Sequence, residues 1–262
     1  MSQLMPPGFL DLTGRTALVT GAGQGVGESI ARHLAGRGAR VVVNDVRGAR
    51  AIATAEALVA AGAEAVPIAA DVTSYDDVRR MFAEAGPVDI LVNNAGNAGA
   101  GNDFSSMASP FWESDPSTWQ AFIEVNLMGV LNCTHAALPG MAERRHGRIV
   151  TVISDAGRVG EGRLAVYSAA KAGAAGFMRA IAKAGGRHLI TANAIALGTV
   201  RSGTQGAEAD PAADARQLAA YAIRRFGVPE DVAGLVLLLA SDAGGWITGQ
   251  TIPVNGGFSS AL

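Results

Sequence analysis

The chain has 262 residues, 21 Lys+Arg against 23 Asp+Glu, a formal net charge of −2, 49% hydrophobic and 17% charged residues. So much apolar material fills a large core and excludes disorder, and a near-neutral chain lacks the basic face of a nucleic-acid binder. The longest apolar run, residues 235–240, falls far short of the ~20 that span a bilayer, residues 1–10 carry no basic group ahead of an apolar stretch, and the single Cys133 makes no internal disulfide. A cytoplasmic, reducing setting is therefore expected, with no membrane and no nucleic acid as partner.

In chain order, residues 17–20 read as a short strand running into the loop Gly21-Ala22-Gly23-Gln24-Gly25-Val26-Gly27. A helical pattern follows, with Ile30, Ala31 and Leu34 on one face and Gly36 and Gly38 at its end. The run 41–43, closed by Asn44-Asp45, completes a strand–turn–helix–strand unit of about 30 residues. The alternation continues with helix 49–61, strand 65–69 ending at Asp71, helix 75–85, strand 88–94 and a long helix 117–142. Strand 148–154, helix 164–184, strand 191–195, helix 229–241 and strand 250–254 follow. Seven strands alternating with six helices imply a mostly parallel sheet covered on both faces, and no linker or repeat divides the chain, so one domain is expected. Two stretches break the rhythm: 97–116, holding Phe104, Phe111 and Trp112, and 199–214, with Gly203, Gly206 and acidic residues. Both follow strands at their carboxyl ends, where open α/β sheets bind ligands, and the second is expected to close over substrate.

Glycines at 21, 25 and 27 let backbone approach a pyrophosphate, and the helix that follows offers free N–H groups. Alone, such a loop is as readily a tight turn. Asp45 ends the second strand eighteen positions past Gly27, near the ~20 expected of a carboxylate that binds ribose hydroxyls. It would accept both hydroxyls of NAD and repel a 2′-phosphate.

Tyr167 and Lys171 stand at i, i+4 on one helix face. With three tyrosines and two lysines in the chain, that spacing arises by chance in about a few per cent of cases. A tyrosine is a poor base near neutrality, and an adjacent ammonium favours its phenolate. Tyr167 would then be an acid/base for an alcohol, with Ser154, thirteen positions earlier, bonding the substrate oxygen.

The segments 20–27, Asp71-Val72, Asn93-Asn94-Ala95-Gly96, Asn126, Ser154, Tyr167-Ser168-Ala169-Ala170-Lys171 and Thr248-Gly249-Gln250 together resemble the short-chain dehydrogenase/reductase family, over about residues 14–257. The resemblance implies a doubly wound, three-layer Rossmann-type α/β fold, with a cofactor half at about 14–96 and a catalytic and substrate half at about 97–262. It implies hydride transfer between NAD and a secondary alcohol or ketone. Tyr167 would be the acid/base, Ser154 would polarise the substrate oxygen, Lys171 would lower the tyrosine pKa and hold the nicotinamide ribose, and Asn126 would position a water. Gly21, Gln24, Gly25, Val26, Gly27 and Asp45 would bind the phosphates and ribose. Asp71 and Val72 would line the adenine pocket, Asn94, Ala95 and Gly96 the wall beneath the cofactor, and Gly198, Val200 and Ser202 the nicotinamide end. By the same resemblance Val46 and Gln24 stand where NADP-preferring relatives carry basic residues, whereas Arg47 is a contrary signal expected to point to solvent. Leu197 replaces the usual Pro before Gly198, Ser202 a common Thr, and the 97–116 loop is longer than usual. A homotetramer is implied, with Ala169, Ala172, Ala175 and Gly176 on the outward side of their helix.

Ser168-x-x-Lys171 also fits a serine–lysine acyl enzyme, but the accompanying Ser-Asp-Asn and Lys-Thr-Gly are absent, as is Gly-x-Ser-x-Gly. His33, His135, His146 and His188 lack metal spacing, so no metal is expected. A non-catalytic NAD sensor is the alternative of another class. Residues 138–148 and 154–160 resemble members acting on hydroxyacyl or 3-oxoacyl thioesters, with Arg158, Arg163 and Arg201 either meeting CoA phosphates or simply solvated. A steroid-like or alicyclic alcohol facing Phe104, Phe111 and Trp112 is the other substrate reading.

Overall fold

The computed structural model describes residues 8–96, 110–202 and 210–260. The first half runs β1 (Thr16–Val19), α1 (Gly25–Ala35), β2 (Arg40–Asp45), α2 (Gly48–Ala60), β3 (Ala65–Ala69), α3 (Tyr75–Ala85) and β4 (Ile90–Asn93). After it come α4 (Trp119–Ile123), a π-helical turn (Glu124–Met128), α5 (Gly129–Arg144), β5 (Gly147–Ser154), α6 (Ala156–Val159), α7 (Ala165–Gly185), β6 (Ile190–Leu197), α8 (Pro211–Leu218), α9 (Pro229–Ala240) and β7 (Thr251–Val254). The sheet order is β3-β2-β1-β4-β5-β6-β7 and every ladder is parallel, where the sequence suggested mostly parallel.

Alternating side chains explain the apolar runs. Val41 and Val43 face a core layer with Ile30 and Leu34 of α1 and Val236 of α9, whereas Val42 and Leu18 face Met81 of α3, Met141 of α5 and Met178 of α7. Each fully buried aliphatic side chain contributes about 1.5–3 kcal/mol, so both faces must be covered. Local signals fix the ends. Ser74 accepts from Asp77 N–H at the start of α3, and Asp231 accepts from Val228 N–H at the start of α9, after Arg225 has drawn its carboxyl down to about 2.

The expected helix 117–142 is three pieces, because one extra residue per turn at Glu124–Met128 breaks the α period and turns Asn126 fully inward. The stretch Pro116–Arg144 is long and apolar enough to cross a membrane by length and hydropathy, yet Val130, Cys133, Ala137 and Met141 pack into the sheet core. Strand β4 starts at Ile90 rather than 88, β6 extends on both sides of 191–195, and the short α6 and α8 were not expected. Phe104, Gly203 and Gly206, with the rest of 97–109 and 203–209, lie outside the described residues.

Candidate active site

Strand order reverses between β1 and β4, and the carboxyl ends there open into a cavity of about 510 Å³. Eight of the expected cofactor residues line it: Gly21, Gln24, Asp45, Asp71, Val72, Asn94, Ala95 and Gly96. The loop fits close approach by a phosphate. Gly25 has φ +60°, and a Cβ on Gly27 would collide with the Gly21 carbonyl, so α1 starts directly beneath the loop only with glycine there. Val26 packs on the adjoining core. Asn94 staples the loop to β4: its Nδ2 donates to Thr20 O (2.9 Å) and Gly21 O (3.1 Å), while Thr20 Oγ1 accepts from Asn94 N–H (3.0 Å).

The Asp45 carboxylate is buried at the rim, where Oδ2 accepts from Gly23 N–H (3.2 Å) and Oδ1 from Arg47 N–H (2.9 Å). Val46 is exposed beside it. Arg47 is exposed, as expected, and also lines this cavity, as does Arg50. Asp71 is tied locally, its Oδ1 accepting from Thr73 N–H (2.9 Å) and Oγ1 (2.8 Å).

At the end of β5, Ser154 Oγ accepts from Ala156 N–H (3.2 Å) and is hydrogen-bonded with Tyr167, near the start of α7. One turn on, the buried Lys171 donates from Nζ to Val152 O (3.0 Å) and lies 5.8 Å from the Tyr167 ring centre. Asn126 donates from Nδ2 to Phe122 O (3.0 Å). A Cβ on Gly96 would lie 2.9 Å from Lys171 Nζ and 3.0 Å from Asn126 Oδ1, so Lys171 and Asn126 stand directly behind Gly96, a wall residue of the cavity. Burial holds the Lys171 ammonium down at about 8. Burial also pushes the Tyr167 phenol up, against the Ser154 hydrogen bond, which lowers it. Desolvation outweighs that hydrogen bond, and the lowering influence comes from Ser154 where the sequence suggested Lys171.

Ser202 Oγ sits 3.2 Å from where a Gly25 Cβ would be, and Val200 bridges to Gly227. Gly198 is pressed against Asn255, where a Cβ would lie 3.0 Å from its Cα. Two recesses adjoin Ser154 and Tyr167. One, about 260 Å³, is bounded by Phe111, Trp119, Phe122 and Tyr167. The other, about 360 Å³, is bounded by Ser154, Leu197, Gly198, Tyr221 and Phe258. Arg163 and Leu164 border both. Trp112 is 83% exposed and lines neither, and its expected place is taken by Trp119, stacked on Phe111 at 5.0 Å. Arg158 is paired with Asp155 at 2.7 Å. Arg201 is paired with Asp214 by two hydrogen bonds and lies 3.7 Å over the Phe226 ring. Two of the three expected anion-binding arginines are therefore held by carboxylates. Sequence reasoning missed Arg50, Trp119, Asp155, Tyr221 and Phe258; only the i, i+3 pair Asp155–Arg158 left a readable signal.

The chain matches the family described as short chain dehydrogenase over residues 15–213. It is 38% identical over 253 residues to a 3-oxoacyl-[acyl-carrier-protein] reductase of Synechocystis sp., covering 94% of this chain and 97% of the relative. It is 39% identical over 252 residues to an acetoacetyl-CoA reductase of Allochromatium vinosum, covering 93% and 98%. Among solved structures, a 3-oxoacyl-[acyl-carrier protein] reductase with bound NAD from Brucella melitensis superposes with a TM-score of 0.86 at 33% identity, covering 98% of this chain and 97% of that one.

Proposed function

Since the chain belongs to the short-chain dehydrogenase family, oxidoreductases acting on alcohol and keto groups with a nicotinamide cofactor, we propose that it is an NAD-dependent enzyme interconverting a 3-oxoacyl and a hydroxyacyl thioester. The observation that carries this is the chain of neighbours Gly96, Asn126, Lys171, Tyr167 and Ser154, which links the wall of the glycine-loop cavity to the residues bordering the two recesses. The nicotinamide supplies or accepts the hydride when bound. Ser154 Oγ holds the substrate oxygen, and Tyr167 Oη gives it a proton in reduction or takes one in oxidation. Lys171 keeps a positive charge below pH ~8 next to that phenol and binds the nicotinamide ribose. Asn126 holds a water through which Lys171 exchanges protons.

Asp45 supports NAD over NADP, because its fixed carboxylate occupies the rim where the adenosine ribose would lie. One domain would serve both steps, residues 14–96 holding the cofactor and the rest the substrate. The copies would assemble as a homotetramer, in a reducing compartment where the buried Cys133, its thiol pushed up to about 12, stays inert. The aromatic recess of Phe111, Trp119 and Phe122 favours an alicyclic alcohol as a second reading. The test is turnover with NADH against 3-oxoacyl thioesters, alicyclic ketones and simple ketones. Preference for thioesters by kcat/KM supports the first reading, preference for ring ketones the second, and no turnover of any carbonyl supports a non-catalytic sensor.

A further inference from the structure

The residue after Ser154 carries a carboxylate that the reaction does not use. Asp155 is 3% exposed, and three groups converge on it. Its Oδ2 accepts from Asn255 Nδ2 at 2.6 Å and from Ser259 Oγ at 2.9 Å, and its Oδ1 accepts from Arg158 Nη1 at 2.7 Å. Its own N–H donates to Leu197 O at 2.9 Å. One residue thus joins the carboxyl ends of β5 and β6 to the segment after β7. That segment is folded back on itself: Asn255 Nδ2 also donates to Ser259 O (3.0 Å), and Gly257 N–H donates to Asn255 Oδ1 (3.0 Å). The fold-back presents Phe258, packed 5.1 Å from the Tyr221 ring, as a wall of the recess that holds Ser154, Leu197 and Gly198. Tyr221 is fixed in turn, its Oη accepting from Thr199 N–H at 2.9 Å.

A buried ion pair gains little net stability over apolar side chains of the same volume, so stability alone does not account for Asp155. What the carboxylate does that an apolar group cannot is bind at once a donor beside it, Arg158, and two donors from the distant segment after β7, Asn255 and Ser259. We propose that Asp155 is a positioning residue, clamping the C-terminal turn so that Phe258 and Tyr221 form the wall that selects the apolar substituent on the reacting carbon. This rests on the hydride-transfer reading of the adjoining site. Asp155 borders the same recess, but its carboxylate oxygens are taken up by Arg158, Asn255 and Ser259; it acts through Asn255 and Ser259.

The experiment compares wild type, Asp155→Asn, Ser259→Ala and the reciprocal double variant Asp155→Asn/Asn255→Asp, all as full-length protein. Readouts are kcat and KM for the best carbonyl substrate, NADH affinity by fluorescence, and amide exchange at Gly257 and Phe258. Asp155→Asn leaves one acceptor oxygen for three donors and removes the charge facing Arg158, so KM rises about tenfold or more while kcat and NADH affinity change by less than about threefold. Gly257 and Phe258 exchange faster, and the strands of the sheet do not. The reciprocal variant restores one acceptor to the cluster and recovers most of the KM loss. Ser259→Ala, which leaves the buried carboxylate and Arg158 in place, gives a smaller KM rise in the same direction and decides the matter if Asp155→Asn does not fold. Unchanged KM and unchanged exchange overturn the proposal, and so does a parallel loss of kcat, NADH affinity and thermal stability without rescue. A wild type that turns over no carbonyl sinks the hydride-transfer reading instead, and the exchange at Gly257 and Phe258 then decides the clamp by itself.

Discussion

On the proposed mechanism Tyr167 and Lys171 set the pH behaviour, and burial shifts both groups. Tyr167 is held protonated at neutral pH, which suits proton donation to a ketone. Reduction should therefore hold through neutrality and fall on the alkaline side, whereas alcohol oxidation should rise with pH as the phenolate forms. Ser154→Ala removes the hydrogen bond that lowers the phenol, so the alkaline limb in a pH–rate profile should move upward as kcat/KM falls. Tyr167→Phe keeps the ring and its edge contact with Phe122, and should lower kcat by at least about a hundredfold with NADH affinity unchanged. More than a few per cent residual activity would remove Tyr167 from the proton transfer. Lys171 carries the opposite sign in stability. Its folded pKa, about 8, lies below the ordinary lysine value of 10.5, so burying its charge costs stability at all pH values below 8. That cost fades between pH 8 and 10.5, and Lys171→Met should flatten the rise in chemical-denaturation stability measured across that window. The same scale holds the cofactor choice. A carboxylate meeting a phosphate at ~4 Å costs about 4 kcal/mol at an effective dielectric of ~20. Arg47 and Arg50 on the same cavity offset part of this. A preference for NAD of at least about a hundredfold in kcat/KM remains expected, narrowing in Asp45→Ala chiefly through weaker NAD. A wild type that favours NADP would overturn the reading of Asp45.

Among the elements, the glycine loop and the π-helical turn do the placing. Gly27→Ala forces a methyl against the Gly21 carbonyl, so the loop or the start of α1 must shift. Such overpacking costs about 1–3 kcal/mol, and urea denaturation should show that loss together with weaker NADH binding. Stability and affinity equal to wild type would mean that the helix start is not so tightly set. The glycine loop was legible because its glycines, the strand before it and the helix after it are contiguous in sequence. Tyr167 and Lys171 were legible because 3.6-residue periodicity puts i and i+4 on one face. The π turn was not, since a single extra residue inside an apolar run leaves the composition of 117–142 unchanged. Nor was the clamp on Asp155, because Asn255 and Ser259 lie 100 and 104 positions away and no local pattern links them. The sheet itself was readable for a simple reason: strands buried on both faces, such as Val41-Val42-Val43, must be apolar at every position.

At the scale of the whole molecule, the surface is the part that one chain does not explain. On α7, Ala169 and Ala172 are exposed and Gly176 is half-buried, small residues that let another helix come close. Ala175, expected on that outward side, belongs to the chain's own core instead, because it falls among Ile153, Ala174 and Met178 on the sheet side of the helix. Trp246, between α9 and β7, is 99% exposed, and Ile223 is 59% exposed. An indole in water forgoes a few kcal/mol of burial, and such groups mark interfaces. The small exposed residues of α7 and the indole of Trp246 are the proposed contacts, and two different two-fold contacts would close a tetramer. Light scattering at micromolar protein should accordingly give about four times the 26.6 kDa chain mass. Trp246→Ser should weaken one contact and yield a species of half that size, with the fold intact by circular dichroism. Ala172→Arg should weaken the other, since a guanidinium on a close helix crossing has neither room nor a partner. A wild type of monomeric mass would refute the assembly, and a tetramer unmoved by both substitutions would place its contacts elsewhere on the surface.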